Sequence, residues 1–151
     1  MKQVVLRLLF TALKGNIMST KIIDKLGLIT VQNGKVAMVR SHNKTLFYIP
    51  GGKREHGETD QQALSREVDE ELTLTLHPDS IQFYGEFVGL ADGKQNGTQV
   101  CIRCYQANYD GTPQPAAEIA ELAWLDSTDA DRCSTTAIEI LKQLKADNLI
   151  Q

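Results

Sequence analysis

Apolar and polar positions change period several times along this chain, and the changes divide it into elements. LGLITVQ (26–32) and KVAMVR (35–40) are apolar-rich runs separated only by Asn33-Gly34. An Asn-Gly pair suits a type I′ turn, in which both residues take positive φ, so the two runs predict a hairpin. TLFYIP (45–50) predicts another strand, ended by Pro50, which has no amide hydrogen for a ladder. SIQFYGEFVGL (80–90) and TQVCIRCYQANY (98–109) flank the glycine-rich DGKQNG and predict a second, longer hairpin. Asp110-Gly111 turns the chain again, and ELAWLD (121–126) predicts a short strand.

Two segments switch to the helical period. Leu64, Val68 and Leu72 recur every four residues, and Thr59 followed by Gln62 forms a capping box, so a helix is expected to begin at about residue 60. Between about Ser134 and Leu149, Ala137, Ile138, Leu141 and Leu144 repeat at helical spacing and predict a closing amphipathic helix. The fold class expected is α+β: a mixed, mainly antiparallel sheet with at least two helices packed on it.

Composition narrows the function. A chain of 151 residues suggests one domain able to bury roughly two-thirds of its unfolded surface without staples. With 42% hydrophobic and 23% charged residues it is ordinary globular material, free of internal repeats and low-complexity tracts. A net charge of -3 argues against a nucleic-acid surface, which needs a basic face. It leaves room for a small phosphorylated ligand held through a metal. Three cysteines, an odd number, fit a reducing, cytoplasmic setting better than a disulfide framework. Cys101 and Cys104 form a C-x-x-C, but residues three apart on a strand face opposite sides, so they are expected to be ordinary strand cysteines. Cys133 carries no signal.

Residues 1–17 are apolar, with Lys2, Arg7 and Lys14. Arg7 interrupts the run, no small-residue cleavage site follows, and the run is too short to span a bilayer. The segment is expected to be a dispensable leader or extra N-terminal piece, whose place in the natural protein is left open. A short helix packed on the domain is the second reading. No membrane partner is expected.

The chemistry concentrates in residues 51–72, GGKREHGETDQQALSREVDEEL. Two glycines open the segment, and Glu55, Glu58, Glu67, Glu70 and Glu71 follow. At ~100° per residue, Glu67, Glu70 and Glu71 share one arc beside the apolar stripe, whereas Asp69 lies opposite it. Glu58 is aimed into the same neighbourhood by the turn around Gly57. Any one of these glutamates alone reads as helix surface, helped by an Arg66–Glu70 pair one turn apart. Together they crowd like charges, and a hard divalent cation such as Mg²⁺ or Mn²⁺ resolves the repulsion.

The segment resembles the Nudix box: Gly, five residues, Glu, seven residues, then Arg-Glu-apolar-x-Glu-Glu-x-Gly-apolar. Here those positions are Gly52, Glu58, Arg66, Glu67, Val68, Glu70, Glu71, Thr73 and Leu74, with Thr73 where the family usually has Gly. That departure falls at the helix C-terminus, where Gly relieves strain at positive φ. The resemblance implies a Nudix-type α/β/α sandwich over residues 18–151 and divalent metals, Mg²⁺ first and Mn²⁺ second. Glu67, Glu70 and Glu71 would bind metal, with Glu67 also orienting or deprotonating the attacking water. Glu58 would support the site, and Arg66 would orient a glutamate. The Gly51 carbonyl would be a further ligand, as would a glutamate from a later loop, Glu118 ahead of Glu121. Lys53, in a MutT-like Pro-Gly-Gly-Lys, would contact phosphate, with Arg40 assisting.

The implied reaction is metal-dependent hydrolysis of a nucleoside diphosphate linked to another group, X. Prolines are absent between Pro78 and Pro113, which does not match the family's ADP-ribose hydrolases. The NADH-type and dinucleoside-polyphosphate signatures are absent too. A MutT-like pyrophosphohydrolase acting on (deoxy)nucleoside triphosphates fits best. A nucleotide-sensing module on the same fold would be expected to lose metal glutamates that this chain keeps, and an isomerase would need a catalytic pair that nothing specifies. The partner expected is a small nucleotide-type substrate, with homodimer formation left open.

Overall fold

In this computed structural model, residues 21–92 and 97–151 are described. The expectations for residues 1–17 and for the middle of DGKQNG lie outside them. Alternation along the first run sets the architecture. In β1 (Ile22–Leu28), Leu26 and Leu28 point to one face while Ile23, Lys25 and Gly27 point to the other. β1 lies parallel to β7 (Gln99–Gln106), in register from Ile22 opposite Gln99 to Leu28 opposite Tyr105. On its other edge it pairs antiparallel with the short β4 (Gly51–Lys53). β7 pairs antiparallel with β6 (Gln82–Leu90), completing a four-stranded sheet in the order β4-β1-β7-β6.

A second sheet is antiparallel: β2 (Val31–Gln32), β3 (Lys35–Ser41) and β9 (Ile119–Leu125), with β3 central. β5 (Thr75–Leu76) and β8 (Tyr109–Asp110) form a small third ladder. Helix α1 (Asp60–Leu72) packs Ala63, Leu64, Val68 and Leu72 against Leu26, Leu28 and Val39. Helix α2 (Thr135–Ala146) packs Ala137, Ile140, Leu141 and Leu144 against Met38, Phe87, Val100, Ile102 and Cys104. The two larger sheets therefore each contribute to a buried cluster on both faces. Neighbours Cys104 and Tyr105 fall into different clusters, as the two-residue period demands. The result is the expected mixed, mainly antiparallel α+β sandwich. Cys104 is fully buried, whereas Cys101 sits on the other face beside Glu86. No helix among the described residues is long and apolar enough to cross a membrane.

Three expectations need correction. The run 26–32 is not one arm of a hairpin: β1 ends at Leu28, and after it the Ile29 amide bonds to Tyr105 while the Thr30 carbonyl already accepts from Ala37. One apolar run is thus handed from one sheet to the other. Only Val31–Gln32 pairs with β3, around Asn33 and Gly34 at φ 52° and 75°. TLFYIP is not a strand either, because Tyr48 bridges to Val39 while Phe47 bridges to Cys133, so successive residues serve different partners and no ladder builds. The strand expected over 121–126 runs from Ile119 to Leu125, pulled earlier by pairing with β3. Upstream, β1 extends to Ile22 although Asp24 and Lys25 weaken the local pattern, because β7 supplies the pairing.

Candidate active site

The site is built where α1 meets β4, and backbone conformation places it. Gly57, at φ 82°, turns the chain so that Glu58 Oε1 accepts the Glu55 amide at 2.8 Å. Thr59 then caps α1, with the reciprocal Gln62 bond in place. Asp60, in the first turn, is held from the sheet by Arg103 and Tyr105. The helix is therefore fixed at its start, which sets the rotation of the glutamates behind it.

Arg66 organises the near side. Its guanidinium reaches both Glu58 oxygens at 2.8 Å, Glu67 Oε1 at 2.9 Å and the Lys53 carbonyl at 3.1 Å. A planar fork making two parallel bonds to a carboxylate fixes direction as well as charge. The Arg66 guanidinium, with help from the Glu55 amide, holds the Glu58 carboxyl down at about 2. The two glycines of β4 give Glu67 and Glu71 their places. A methyl group on Gly52 would stand 2.4 Å from the Glu67 carboxylate, and one on Gly51 would strike the Leu26 carbonyl at 1.9 Å. Gly52 thus makes room for the Glu67 carboxylate, while Gly51 lets β4 approach β1 closely and offers its amide to Glu71.

Glu71 is 5% exposed, and its Oε1 accepts the Gly51 amide at 2.7 Å. Burial pushes its carboxyl up to about 8, opposed by the Gly51 amide and reinforced by Glu118 and Glu67. Glu118 arrives from the segment before β9, which docks on the C-terminal end of α1: the amides of Gln114 and Ala116 bond to the carbonyls of Leu72 and Glu71. Those bonds satisfy two of the helix's terminal carbonyls. The helix ends at Thr73, at φ 58° and ψ 33°, in the left-handed region that favours glycine.

One cavity of about 450 Å³ collects Gly51, Gly52, Lys53, Glu67, Glu71 and Glu118. Glu58 and Arg66 stand behind Glu67 rather than in the lining. Glu70 is outside the lining as well: its side chain is 54% exposed and lies 3.9 Å from Arg66. Arg40 also stays out of the cavity, paired with Glu121 at 3.2 Å and with the Lys44 carbonyl at 2.9 Å. Sequence reasoning missed Lys25, Ser41, Lys44, Tyr48 and Asp92, which line the same cavity. For Lys25 a signal existed: it stands between Ile23 and Gly27 on one face of a strand.

Among the described residues, no three carboxylate, imidazole or thiol side chains stand in a ready-made metal cage. The donor chemistry nevertheless suits a hard cation. Glu67, Glu71 and Glu118 bring oxygen donors to one cavity, and burial holds Glu71 where a proton or a metal must compensate its charge.

A model of the NUDIX domain matches residues 25–144. No curated protein matches the chain. Solved structures do. The Escherichia coli ORF135 protein is 23% identical with a TM-score of 0.68, covering 89% of this chain and 96% of its own. The MutT protein of Methanosarcina mazei Go1 is 15% identical with a TM-score of 0.71, covering 87% and 99%. A bifunctional NMN adenylyltransferase/ADP ribose pyrophosphatase of Francisella tularensis, solved with AMP and a Mn ion, is 20% identical with a TM-score of 0.62. It covers 95% of this chain, which spans 46% of that longer protein.

Proposed function

The chain belongs to the NUDIX domain family; we propose that it is a pyrophosphohydrolase that cleaves a nucleoside diphosphate joined to a further group X, a (deoxy)nucleoside triphosphate first, and needs Mg²⁺ or Mn²⁺ to do so. One observation carries the reading: the buried Glu71 carboxylate shares a cavity with Glu67, Glu118 and the lysines Lys25, Lys44 and Lys53. Acidic and basic groups lining one cavity are the complement of a cation bound to a polyphosphate.

In this reading Glu67, Glu71, Glu118 and the Gly51 carbonyl hold the cation, and Glu70, outside the lining and beside Arg66, is not assigned a contact with it. A divalent cation bound there supplies electrophilic activation of the phosphoryl oxygens and acidity to water. The protein's own groups do the rest. Arg66 bonds to Glu67 through one oxygen, Oε1, so the other remains for the attacking water, whose proton Glu67 takes. Glu58, gripping Arg66, keeps that carboxylate aimed and is a positioning residue. Lys53 holds a phosphate. Water adds to one phosphorus, the P–O–P bridge breaks, and the two phosphorylated halves leave. Arg40 is not assigned a contact, since Glu121 occupies it.

The test is a panel of nucleoside triphosphates, dinucleotides and nucleoside diphosphate sugars, assayed for phosphate and pyrophosphate release with Mg²⁺, with Mn²⁺ and with excess EDTA. Turnover of at least one triphosphate, abolished by EDTA, is expected. Equal turnover in EDTA, or tight nucleotide binding without hydrolysis across the panel, overturns the reading.

A further inference from the structure

Most basic side chains around the site are spoken for by carboxylates. Arg40 pairs with Glu121, Arg54 with Asp24, Arg66 with Glu58 and Glu67, and Arg103 with Asp60. Lys25, Lys44 and Lys53 are exceptions, and of these Lys25 and Lys53 are adjacent. They stand directly opposite each other on the antiparallel pair β1–β4, so their side chains leave the same face of the sheet as cross-strand neighbours. Both line the cavity that holds Glu67, Glu71 and Glu118. Among the described residues, neither ammonium group has a hydrogen bond or ion pair within 4 Å.

This placement costs stability twice. Like charges directly opposite on two strands repel, and Lys25 is half-buried on an otherwise apolar strip with Ile23, Ile49 and Ile102. Glu71, Glu67 and Asp92 act on Lys25 through space but none reaches it as an ion pair, so its ammonium group keeps room for an anion that comes from outside. Two adjacent ammonium groups call for an anion with more than one charged centre, and lysine serves phosphate as a point charge.

We propose that Lys25 is a second phosphate-binding residue, paired with Lys53, and that it selects substrates whose group X is itself anionic, favouring nucleoside triphosphates over nucleoside diphosphate sugars. The inference rests on the hydrolase reading above and adds to it the residue that selects among its substrates. Lys53, on the strand edge beside Gly51 and Gly52, meets the phosphate next to the glutamates. Lys25, one strand further in, meets the next. A neutral sugar in that place leaves Lys25 as unpaired as it is now.

The test compares wild type with Lys25→Met, Lys25→Gln and Lys25→Arg on a nucleoside triphosphate and a nucleoside diphosphate sugar, together with calorimetric titration of inorganic tripolyphosphate at fixed Mg²⁺. Lys25→Met should lower kcat/KM for the triphosphate about tenfold, mainly through KM, and change the sugar nucleotide less than twofold. Lys25→Arg should recover most of the loss, and the Tm of Lys25→Met should not fall below that of wild type. Should Lys25→Met not fold, Lys25→Gln is compared on the same scale. Equal losses on both substrates, no loss on either, or an arginine variant as poor as the methionine one overturn the proposal. If wild type hydrolyses no nucleotide, the hydrolase reading fails by itself. Tripolyphosphate then decides: about tenfold weaker binding by Lys25→Met supports the lysine pair, and equal affinity overturns it.

Discussion

The Gly51 amide donates to Glu71 Oε1 at 2.7 Å, tying the edge strand β4 to the last turn of α1 beside the cavity that both residues line. That bond stabilises the ionised carboxylate, yet burial outweighs it and Glu71 holds its proton up to about pH 8. A folded-state pKa above the ordinary value of 4.5 means the native protein keeps a proton that the unfolded chain releases.

Stability of the metal-free protein should therefore fall as pH rises from about 4.5 towards 8, as linkage requires. Thermal melts in EDTA across this range check it. Glu71→Gln should flatten the dependence, and Mg²⁺ should raise the Tm of wild type more at pH 8 than at pH 6, because metal and proton compete for the same oxygens. An identical slope in wild type and Glu71→Gln would contradict the assignment.

Glu67→Gln keeps shape but loses charge, basicity and metal affinity. It should reduce kcat by ~10²–10⁴-fold with the fold preserved by circular dichroism. Asp69→Asn is the control on the same helix, exposed and away from the cavity, and should change little. Equal losses would mean that the face of α1 presented to substrate has been misassigned.

Arg66→Lys removes the two-pronged grip on Glu58 and leaves a single ammonium nitrogen where the fork serves Glu58, Glu67 and the Lys53 carbonyl. We expect about a tenfold loss in kcat, the low end of what misplacing a catalytic group costs, with KM little changed. Glu58, held at about 2, contributes stability that is present above its ordinary 4.5 and lost as pH falls through 2. The Tm gap between wild type and Glu58→Gln should accordingly close on acidification.

Thr73→Gly should stabilise the protein. A β-branched residue at φ 58° costs ~1–3 kcal/mol, against ~0.5–1 kcal/mol for the added freedom of glycine in the unfolded chain. A net gain of about 1 kcal/mol, read from denaturant midpoints, with unchanged kcat is expected. No gain would mean the Thr73 side chain contributes to the end of α1 beyond its backbone conformation.

Local pattern alone determined the two helices, the capping box at Thr59 and the Asn33-Gly34 turn, because capping and turn geometry depend on residues within a few positions of one another. It also determined the acidic arc of α1, since helical phase follows from spacing. Only the tertiary structure decided which members of that arc face the cavity: Glu67 and Glu71 do, while Glu70 turns towards solvent beside Arg66. Spacing assigns a direction relative to the helix axis, but the packing of Leu64, Val68 and Leu72 on β1 sets where the axis points. The same limit explains Arg40 and Lys25. Both are basic residues on strands, and although Lys25 stands out on an apolar strand face, nothing local says whether either has a carboxylate partner. Pairing β3 with β9 gives Arg40 a carboxylate in Glu121, whereas pairing β1 with β4 gives Lys25 another lysine. Which charge is spent and which stays available is a property of strand register, and register is set by contacts between residues far apart in the chain.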